Sequence, residues 1–167
     1  MTTIQELRNS LKHAIAEAEH ANPSCSKSVF LDALRDCLMG TLPSGPASDR
    51  ILTLLKRSNE LPVFNSRLDE SDLRRREDCL SWNSLDSSIQ AIGDLVWEAT
   101  TVSAGDCDEC MGEELVYLWD AVSERMVKVC DLCSNTLDLE GRRIESTGRL
   151  EVPTRNQLEA VSVIESD

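Results

Sequence analysis

Apolar residues spaced three and four apart predict amphipathic helices over most of the first hundred residues. The first helix follows the capping box Thr3-Ile-Gln-Glu6 and is expected to end near Ala21, before Asn22-Pro23. Further helices are predicted from Ser26 or Ser28 to Met39, from a Ser48 cap onward, from Ser71 to Leu80, and from Ser84 to Val102. Leu61 to Asn65 fits either an extended segment or a connector that fills the bundle with Phe64. The pattern therefore indicates an N-terminal bundle of about five helices.

The hydrophobic pattern changes to strand-like runs after residue 105. Glu113 to Ala121 and Met126 to Val129 are expected to form a β-hairpin around the turn Ser123-Glu124-Arg125. Shorter strand candidates are Thr136 to Leu139, Arg142 to Glu145 and Arg149 to Val152, followed by a poorly defined segment from Asn156 to Ile164. Since only Ser103-Ala-Gly105 separates the last helix from this part, we expect the two to pack together. The prediction is an α+β chain, with a helical domain over residues 1–104 and a β domain over residues 105–167.

Two Cys-x-x-Cys pairs flank the predicted hairpin, with nineteen residues between them: Cys107 and Cys110, then Cys130 and Cys133. Four thiolates at about 2.3 Å from one ion form the closed shell of a structural zinc site. Thiolates are soft ligands that favour zinc or iron over magnesium or calcium. The two histidines, His13 and His20, are distant in sequence, which favours a closed site over a catalytic one. Redox-active pairs of the thioredoxin type are the alternative, although these belong to a βαβ unit rather than to a hairpin.

The order knuckle, strand, turn, strand, knuckle resembles the zinc-ribbon (rubredoxin-like) family over residues 106–144. The resemblance implies a structural Zn²⁺ held by Cys107, Cys110, Cys130 and Cys133, and it implies no single function. Rubredoxins usually have Gly after each cysteine pair, whereas this chain has Met111 and Ser134, with Gly112 one residue further on. This departure favours zinc over a redox-active iron. The remaining cysteines, Cys25, Cys37 and Cys79, are expected to be small buried residues.

The net charge of −13 is concentrated in the C-terminal part of the chain. Residues 106–167 contain fifteen acidic and six basic residues, a net of −9, against fifteen and eleven, a net of −4, in residues 1–105. Five of the acidic residues lie around the first cysteine pair: Asp106, Asp108, Glu109, Glu113 and Glu114. Such a field should repel nucleic acid, which proteins bind through Lys and Arg, and should attract a basic protein.

In size and charge the chain is similar to bacterial immunity proteins that neutralise toxins. That similarity implies a cytoplasmic inhibitor, or another adaptor, that captures a basic protein partner. The candidate contacts are Asp106, Asp108, Glu109, Glu113, Glu114 and Asp120, with Tyr117 and Trp119 as aromatic anchors. No apolar run is as long as a membrane span and no secretory signal is recognisable, so we expect a cytoplasmic protein with reduced thiols.

Two other functions fit the same sequence. The first is a zinc-ribbon regulator of transcription or translation that contacts nucleic acid or a polymerase, either through Arg74–Arg76 or through Arg142, Arg143 and Arg149. Four acidic residues close to Arg74–Arg76 favour a solvated, charge-paired surface for that cluster. The second is an enzyme, or an enzyme subunit, whose ribbon supports a site elsewhere. The sequence contains no Gly-rich phosphate loop, no Gly-x-Ser-x-Gly and no His-Glu-x-x-His, so we expect a protein that is not an enzyme.

Overall fold

The computed structural model describes residues 2–22, 26–61, 82–110, 113–146 and 148–164. These residues divide into two compact units. The first contains the described residues up to Asn59 together with residues 82–100, and the second contains Glu60, Leu61 and the described residues from Thr101 onward. Five α-helices and an antiparallel sheet of five strands are found among them, which confirms the predicted α+β class.

The first unit is helical. Its elements are α1 (Ile4–His20), α2 (Ser26–Leu38), α3 (Pro46–Lys56) and α4 (Leu85–Thr100), with a 3₁₀ turn at Ser58–Glu60 after α3. The predicted helix from Ser71 to Leu80, the segment after Leu61, the Arg74–Arg76 cluster, Cys25 and Cys79 lie outside the described residues. None of the described helices is long and apolar enough to cross a lipid bilayer.

The first residues of α1 and α3 show how local hydrogen bonding determines where a helix begins. At α1 the expected capping box is present, because Glu6 N–H donates to Thr3 Oγ1 (3.2 Å) and Thr3 N–H donates to Glu6 Oε2 (2.7 Å). The backbone hydrogen bond from Thr3 lowers the pKa of Glu6. The predicted Ser48 cap of α3 is wrong. That helix begins two residues earlier at Pro46, whose ring lacks the N–H that a first-turn residue would leave unpaired.

The helical core is built from the apolar stripes that the sequence predicts. α1 packs mainly on α2, and α3 mainly on α4. The fully buried side chains include Leu7, Leu11, Phe30, Leu31, Leu34, Leu38, Ile51, Leu55, Ile92 and Leu95. Gly93 lies in the middle of α4, where a Cβ atom would come within 3.4 Å of the Ile51 side chain. Cys37 is half-buried rather than buried, and burial raises the pKa of its thiol.

The second unit is a small antiparallel sheet with one helix. Its elements are β1 (Ser103–Cys107), β2 (Glu113–Asp120), β3 (Arg125–Cys130), β4 (Thr136–Leu137), β5 (Leu150–Glu151) and α5 (Arg155–Ala160). The predicted hairpin is present as β2 and β3, paired from Leu115–Cys130 to Asp120–Arg125. β3 occupies one edge of β2, while β1 and β5 share its other edge, and β4 extends the sheet beyond β3.

Several short elements differ from the sequence prediction. The segment expected to be a linker, Ser103-Ala-Gly105, belongs to β1. In the Arg142–Glu145 segment, the structure has a single bridge between Arg143 and Leu137 and assigns no strand. The segment from Asn156 to Ile164, poorly defined in the sequence, contains most of α5, which begins at Arg155 after a second capping box between Thr154 and Gln157.

A hydrophobic cluster joins α5 and the segment after it to the sheet. Val102, Met126, Leu158 and Ile164 are its buried members, and Tyr117, Trp119, Leu139, Val161 and Val163 pack against them. Leu158 is fully buried, which fixes α5 over the β2–β3 hairpin. The cluster is small, as expected for a unit of this length.

The Asp120 side chain stabilises the turn between β2 and β3. Its Oδ1 accepts hydrogen bonds from the N–H groups of Val122 (3.1 Å) and Ser123 (3.3 Å), and the residue is 0% exposed. A carboxylate that accepts two backbone N–H groups in this way holds the chain in a turn. The turn also contains Glu124 in the left-handed region, at φ 50°.

We predict that Asp120→Ala lowers the free energy of unfolding by about 1–3 kcal/mol, because two turn N–H groups lose their acceptor. Asp120→Asn keeps an oxygen at the same place and should lose less. Urea unfolding followed by tryptophan fluorescence measures both. Equal stability of wild type and Asp120→Ala would contradict this role.

Candidate metal centre

β2 is the element that brings the two cysteine pairs together. Cys107 ends β1, opposite Glu113 of β2, and Cys130 ends β3, opposite Leu115 of the same strand. Each pair then continues into a tight turn, a 3₁₀ turn at Asp108–Cys110 and a hydrogen-bonded turn after Cys130. The two turns therefore lie side by side at one end of the sheet.

The four sulfur atoms are positioned to share one metal ion. Cys107 Sγ lies 3.9 Å from Cys133 Sγ, Cys130 Sγ lies 3.8 Å from Cys110 Sγ, and all four lie within 4.8 Å of one another. A regular tetrahedron with metal–sulfur bonds of about 2.3 Å has edges of roughly 3.8 Å. The observed spacing thus fits a four-thiolate shell with little adjustment.

Burial differs between the two positions of each pair. Cys107 and Cys130 are 1% exposed and pack with Leu115, Ala104 and Leu137, whereas Cys110 is half-buried and Cys133 is exposed. The first cysteine of each pair is therefore packed within the sheet, and the second lies on the solvent side of the cluster.

Backbone N–H groups point at the first sulfur of each pair. The N–H of Cys133 donates to the Cys130 sulfur and, with the Leu132 N–H and against the opposing effect of burial, lowers the pKa of Cys130 to about 7. At Cys107 burial dominates and raises the pKa, although the N–H groups of Cys110 and Glu109 oppose it. Such donors stabilise thiolates, which is the form that binds metals.

Without a cation the four sulfurs compete for protons. A hydrogen bond with Cys133, together with burial, raises the pKa of Cys110 to about 12. A divalent cation at the centre would remove this competition, because each thiolate then faces a positive charge.

The turn after Cys133 contains Ser134 at the position where rubredoxins usually have glycine. Ser134 adopts φ 58°, in the left-handed region that usually requires glycine. Its N–H donates to the Cys130 carbonyl (3.1 Å), and Cys130 N–H donates to the Asn135 carbonyl (3.0 Å). The serine therefore takes the backbone conformation that a glycine would supply.

Four of the predicted partner contacts lie together at the first cysteine turn. Asp106, Asp108 and Glu109 are exposed, and Glu114 is half-buried as the cross-strand neighbour of Asp106. The Glu113 side chain lies outside the described residues. Like charges in directly opposed strand positions repel each other, so this end of the sheet carries an unfavourable concentration of negative charge.

The other three predicted contacts lie elsewhere. Tyr117 and Trp119 are half-buried against the hydrophobic cluster, so only part of each ring is accessible. Asp120 is buried in the hairpin turn, and the prediction that it forms a surface contact is therefore corrected. An acidic residue directly after Trp119 has no local sign of burial in the sequence, so only the structure reveals that Asp120 is buried.

Two features of the site were not found by sequence reasoning. Leu132, between the cysteines of the second pair, is 69% exposed, whereas large apolar side chains are usually buried. Arg143 reaches back to Glu109 with an ion pair of 3.3 Å across thirty-four residues of sequence. An apolar residue inside an otherwise acidic turn is the one signal that could have identified Leu132.

We predict that Cys110→Ser or Cys133→Ser abolishes metal binding and unfolds residues 106–145. Metal binding to small four-cysteine domains is coupled to folding, with apparent free energies on the order of 10–16 kcal/mol for zinc. Metal content by atomic emission, and amide exchange by mass spectrometry, report the two effects separately.

Cys37→Ser is the matched control, because Cys37 is a thiol on α2 outside the cluster. It should keep one ion per chain and wild-type exchange in residues 106–145. Full protection of that segment after chelation of the wild-type protein would contradict the coupling.

We also predict that Ser134→Gly stabilises the metal-loaded protein by about 0.5–1 kcal/mol. Relief of left-handed strain, about 1–2 kcal/mol, exceeds the added flexibility of glycine in the unfolded chain, about 0.5–1 kcal/mol. Ser123→Gly, at a position without positive φ, should instead destabilise. Chemical unfolding of both variants tests the opposite signs.

Comparison of the chain with protein-family models, with curated proteins and with solved structures found no match. The functional interpretation therefore rests on the geometry and the charge of this chain. What these establish is a cluster of four cysteines, close enough to hold a metal ion, at the end of an antiparallel sheet.

Proposed function

We propose that the four cysteines bind one structural Zn²⁺ and that the chain is a non-enzymatic inhibitor of the immunity type, which binds a basic protein such as a toxin. The observation that carries the proposal is the set of acidic side chains at the metal site: Asp106, Asp108, Glu109 and Glu114. Their position next to four sulfurs concentrates negative charge at this end of the sheet.

A closed shell of four thiolates supports a structural role for the metal. Four protein ligands leave no position for substrate or water, whereas catalytic zinc sites usually keep one position open. Since four thiolates exceed the charge of one Zn²⁺ by about two, metal binding leaves the site negative and adds to the acidic side chains. The departure from glycine after both pairs favours zinc over iron.

The arginines of this unit support a protein partner over nucleic acid. Arg142 pairs with Asp138 (2.7 Å) and Glu140 (3.0 Å), Arg143 with Glu109 (3.3 Å), and Arg149 with Glu151 (3.3 Å). Nucleic-acid binding depends on cations that contact phosphates. Here each of these guanidiniums already faces a carboxylate, which lowers the positive potential that a phosphate would meet.

A charge-reversal experiment tests the acidic surface. The full chain is used to capture proteins from the source cell at low and at high ionic strength, and a captured basic protein is purified. The triple variant Asp106→Lys, Asp108→Lys, Glu109→Lys should bind it at least tenfold more weakly, mainly through a slower association rate. Growth of cells that express the captured protein, with and without this chain, then reports inhibition.

The matched control is Glu17→Lys, Asp36→Lys, Asp94→Lys, which changes the net charge equally on the helical unit. It should retain most of the affinity, because the field of the metal site is unchanged. Equal losses in both triple variants would show a general charge effect, and recovery of no basic protein at low ionic strength would refute the proposal.

A second experiment separates the two partner classes. Replacing Arg142, Arg143 and Arg149 with Gln removes the only arginines that we proposed as nucleic-acid contacts within the described residues. An inhibitor of a basic protein should keep or increase its affinity. A regulator that contacts DNA or RNA should show a gel shift at low salt, and these substitutions should abolish it.

We further propose that the protein works in the cytoplasm. A four-thiolate metal site requires reduced cysteines, and a reducing compartment keeps them in that form. Fractionation of the source cell, with antibody detection of this chain, tests the location.

A further inference from the structure

A groove of about 600 Å³ lies in the second unit between the β2–β3 hairpin, the loop at residues 138–142 and α5. Its apolar lining comes from Trp119, Met126, Leu139, Ala160 and Val161. Trp119, Leu139 and Val161 are each half-buried, so they contribute to the hydrophobic cluster and still face the groove. This volume is within the usual range for ligand sites, in which a mostly apolar surface is combined with a few polar groups.

The charged residues of the groove leave it negative. Arg142 is held by both Asp138 and Glu140, and Arg125 Nη2 donates to the Glu145 carbonyl oxygen at 3.4 Å. Three carboxylates thus face two guanidiniums, and both guanidiniums already have acceptors. Glu124, at the tip of the hairpin, is exposed and adds the extra negative charge.

The walls of the groove are held by internal hydrogen bonds. Arg142 N–H donates to Asp138 Oδ1 (2.8 Å), Asp138 N–H donates to the Arg142 carbonyl (2.9 Å), and Lys128 Nζ donates to the Leu139 carbonyl (2.9 Å). Burial of Asp138 opposes ionisation, but the hydrogen bonds from Arg142 outweigh it and lower the pKa of that carboxyl. A ligand would therefore meet a preformed surface and lose less entropy on binding.

We propose that this groove binds an apolar side chain of the partner protein, within a segment that also carries Lys or Arg. The inference rests on the proposed function and names the place where a basic partner is anchored. The apolar lining provides the desolvated contact that dominates protein interfaces, while the excess negative charge that exposed Glu124 gives the groove selects flanking cations. A second copy of this chain is a poor occupant, because each copy carries a net charge of −13.

Labelled peptides test the groove without knowledge of the partner. The probes are Lys-Lys-Phe-Lys-Lys, the same peptide with Ser in place of Phe, and Glu-Glu-Phe-Glu-Glu, each measured by fluorescence polarisation against the metal-loaded full chain. The first should bind at least about tenfold more tightly than either of the others. Equal binding of the Ser peptide, equal binding of the Glu peptide, or no binding of any peptide would overturn the inference.

Ala160→Trp fills the groove from α5 and should weaken the Phe peptide at least about tenfold. Val122→Trp places the same ring on an exposed residue of the hairpin turn outside the groove, and it should have no effect. Should Ala160→Trp disturb folding, Glu124→Lys provides a second test: it should weaken the Lys-flanked peptide and strengthen the Glu-flanked one. A dimer of the wild type that Ala160→Trp dissociates, detected by light scattering, would identify a second copy as the occupant and overturn the inference.

The captured partner distinguishes the two proposals. Loss of partner binding in the Asp106, Asp108, Glu109 triple variant, with unchanged binding in Ala160→Trp, would overturn the groove and keep the proposed function. Unchanged binding in both variants would overturn both. Loss in each variant, with wild-type metal content, is the expected result.

Discussion

The convergence of four sulfurs on one point is the constraint on which the second unit depends. Two of its five strands are only two residues long, and the hydrophobic cluster under α5 has four buried members among the described residues. Sheets this small seldom bury enough apolar surface to offset the entropy of ordering the chain. A metal ion bound by the cysteine pairs at the ends of β1 and β3 would supply additional free energy of folding, because it joins positions that are distant in the unfolded chain.

Acidic residues concentrate next to the same four cysteines, where their mutual repulsion costs stability. Asp106 lies opposite Glu114, and the thiolates of the metal site are within one or two residues of Asp108 and Glu109. Arg143 offsets part of this repulsion through an exposed ion pair, which is worth little in water. Local conflicts of this kind in an otherwise consistent fold are typical of functional surfaces. In our proposal, a basic partner relieves part of this repulsion.

In our proposal, one partner uses two separate contributions. The acidic end of the sheet would act over long distances and set how fast a basic protein approaches. The groove near α5 acts only on contact, since apolar burial has no range beyond a layer of water. β2 connects the two, because it carries Trp119, which lines the groove, and pairs with the strand that ends in Cys107.

Much of this fold follows from the order of residues alone. Helical periodicity, the Thr3–Glu6 cap, the β2–β3 hairpin and the spacing of Cys107, Cys110, Cys130 and Cys133 all reflect contacts within a few residues or within one hairpin. Such contacts depend on backbone geometry that the local sequence determines, so they could be predicted. The cysteine cluster could be predicted because two residues between cysteines suit one turn of chain around an ion.

Only the tertiary structure determines the features that depend on contacts between residues far apart in the sequence. Ser103-Ala-Gly105 has little intrinsic preference for a strand, yet it forms β1 because the free edge of β2 supplies hydrogen-bond partners. Asp120 is buried because the turn after it needs an acceptor, and Arg143 meets Glu109 because β3 and β4 return the chain to the first cysteine turn. The groove arises where α5 approaches the hairpin. No local pattern encodes these contacts, since their free energy exists only when segments far apart in the sequence have already come together.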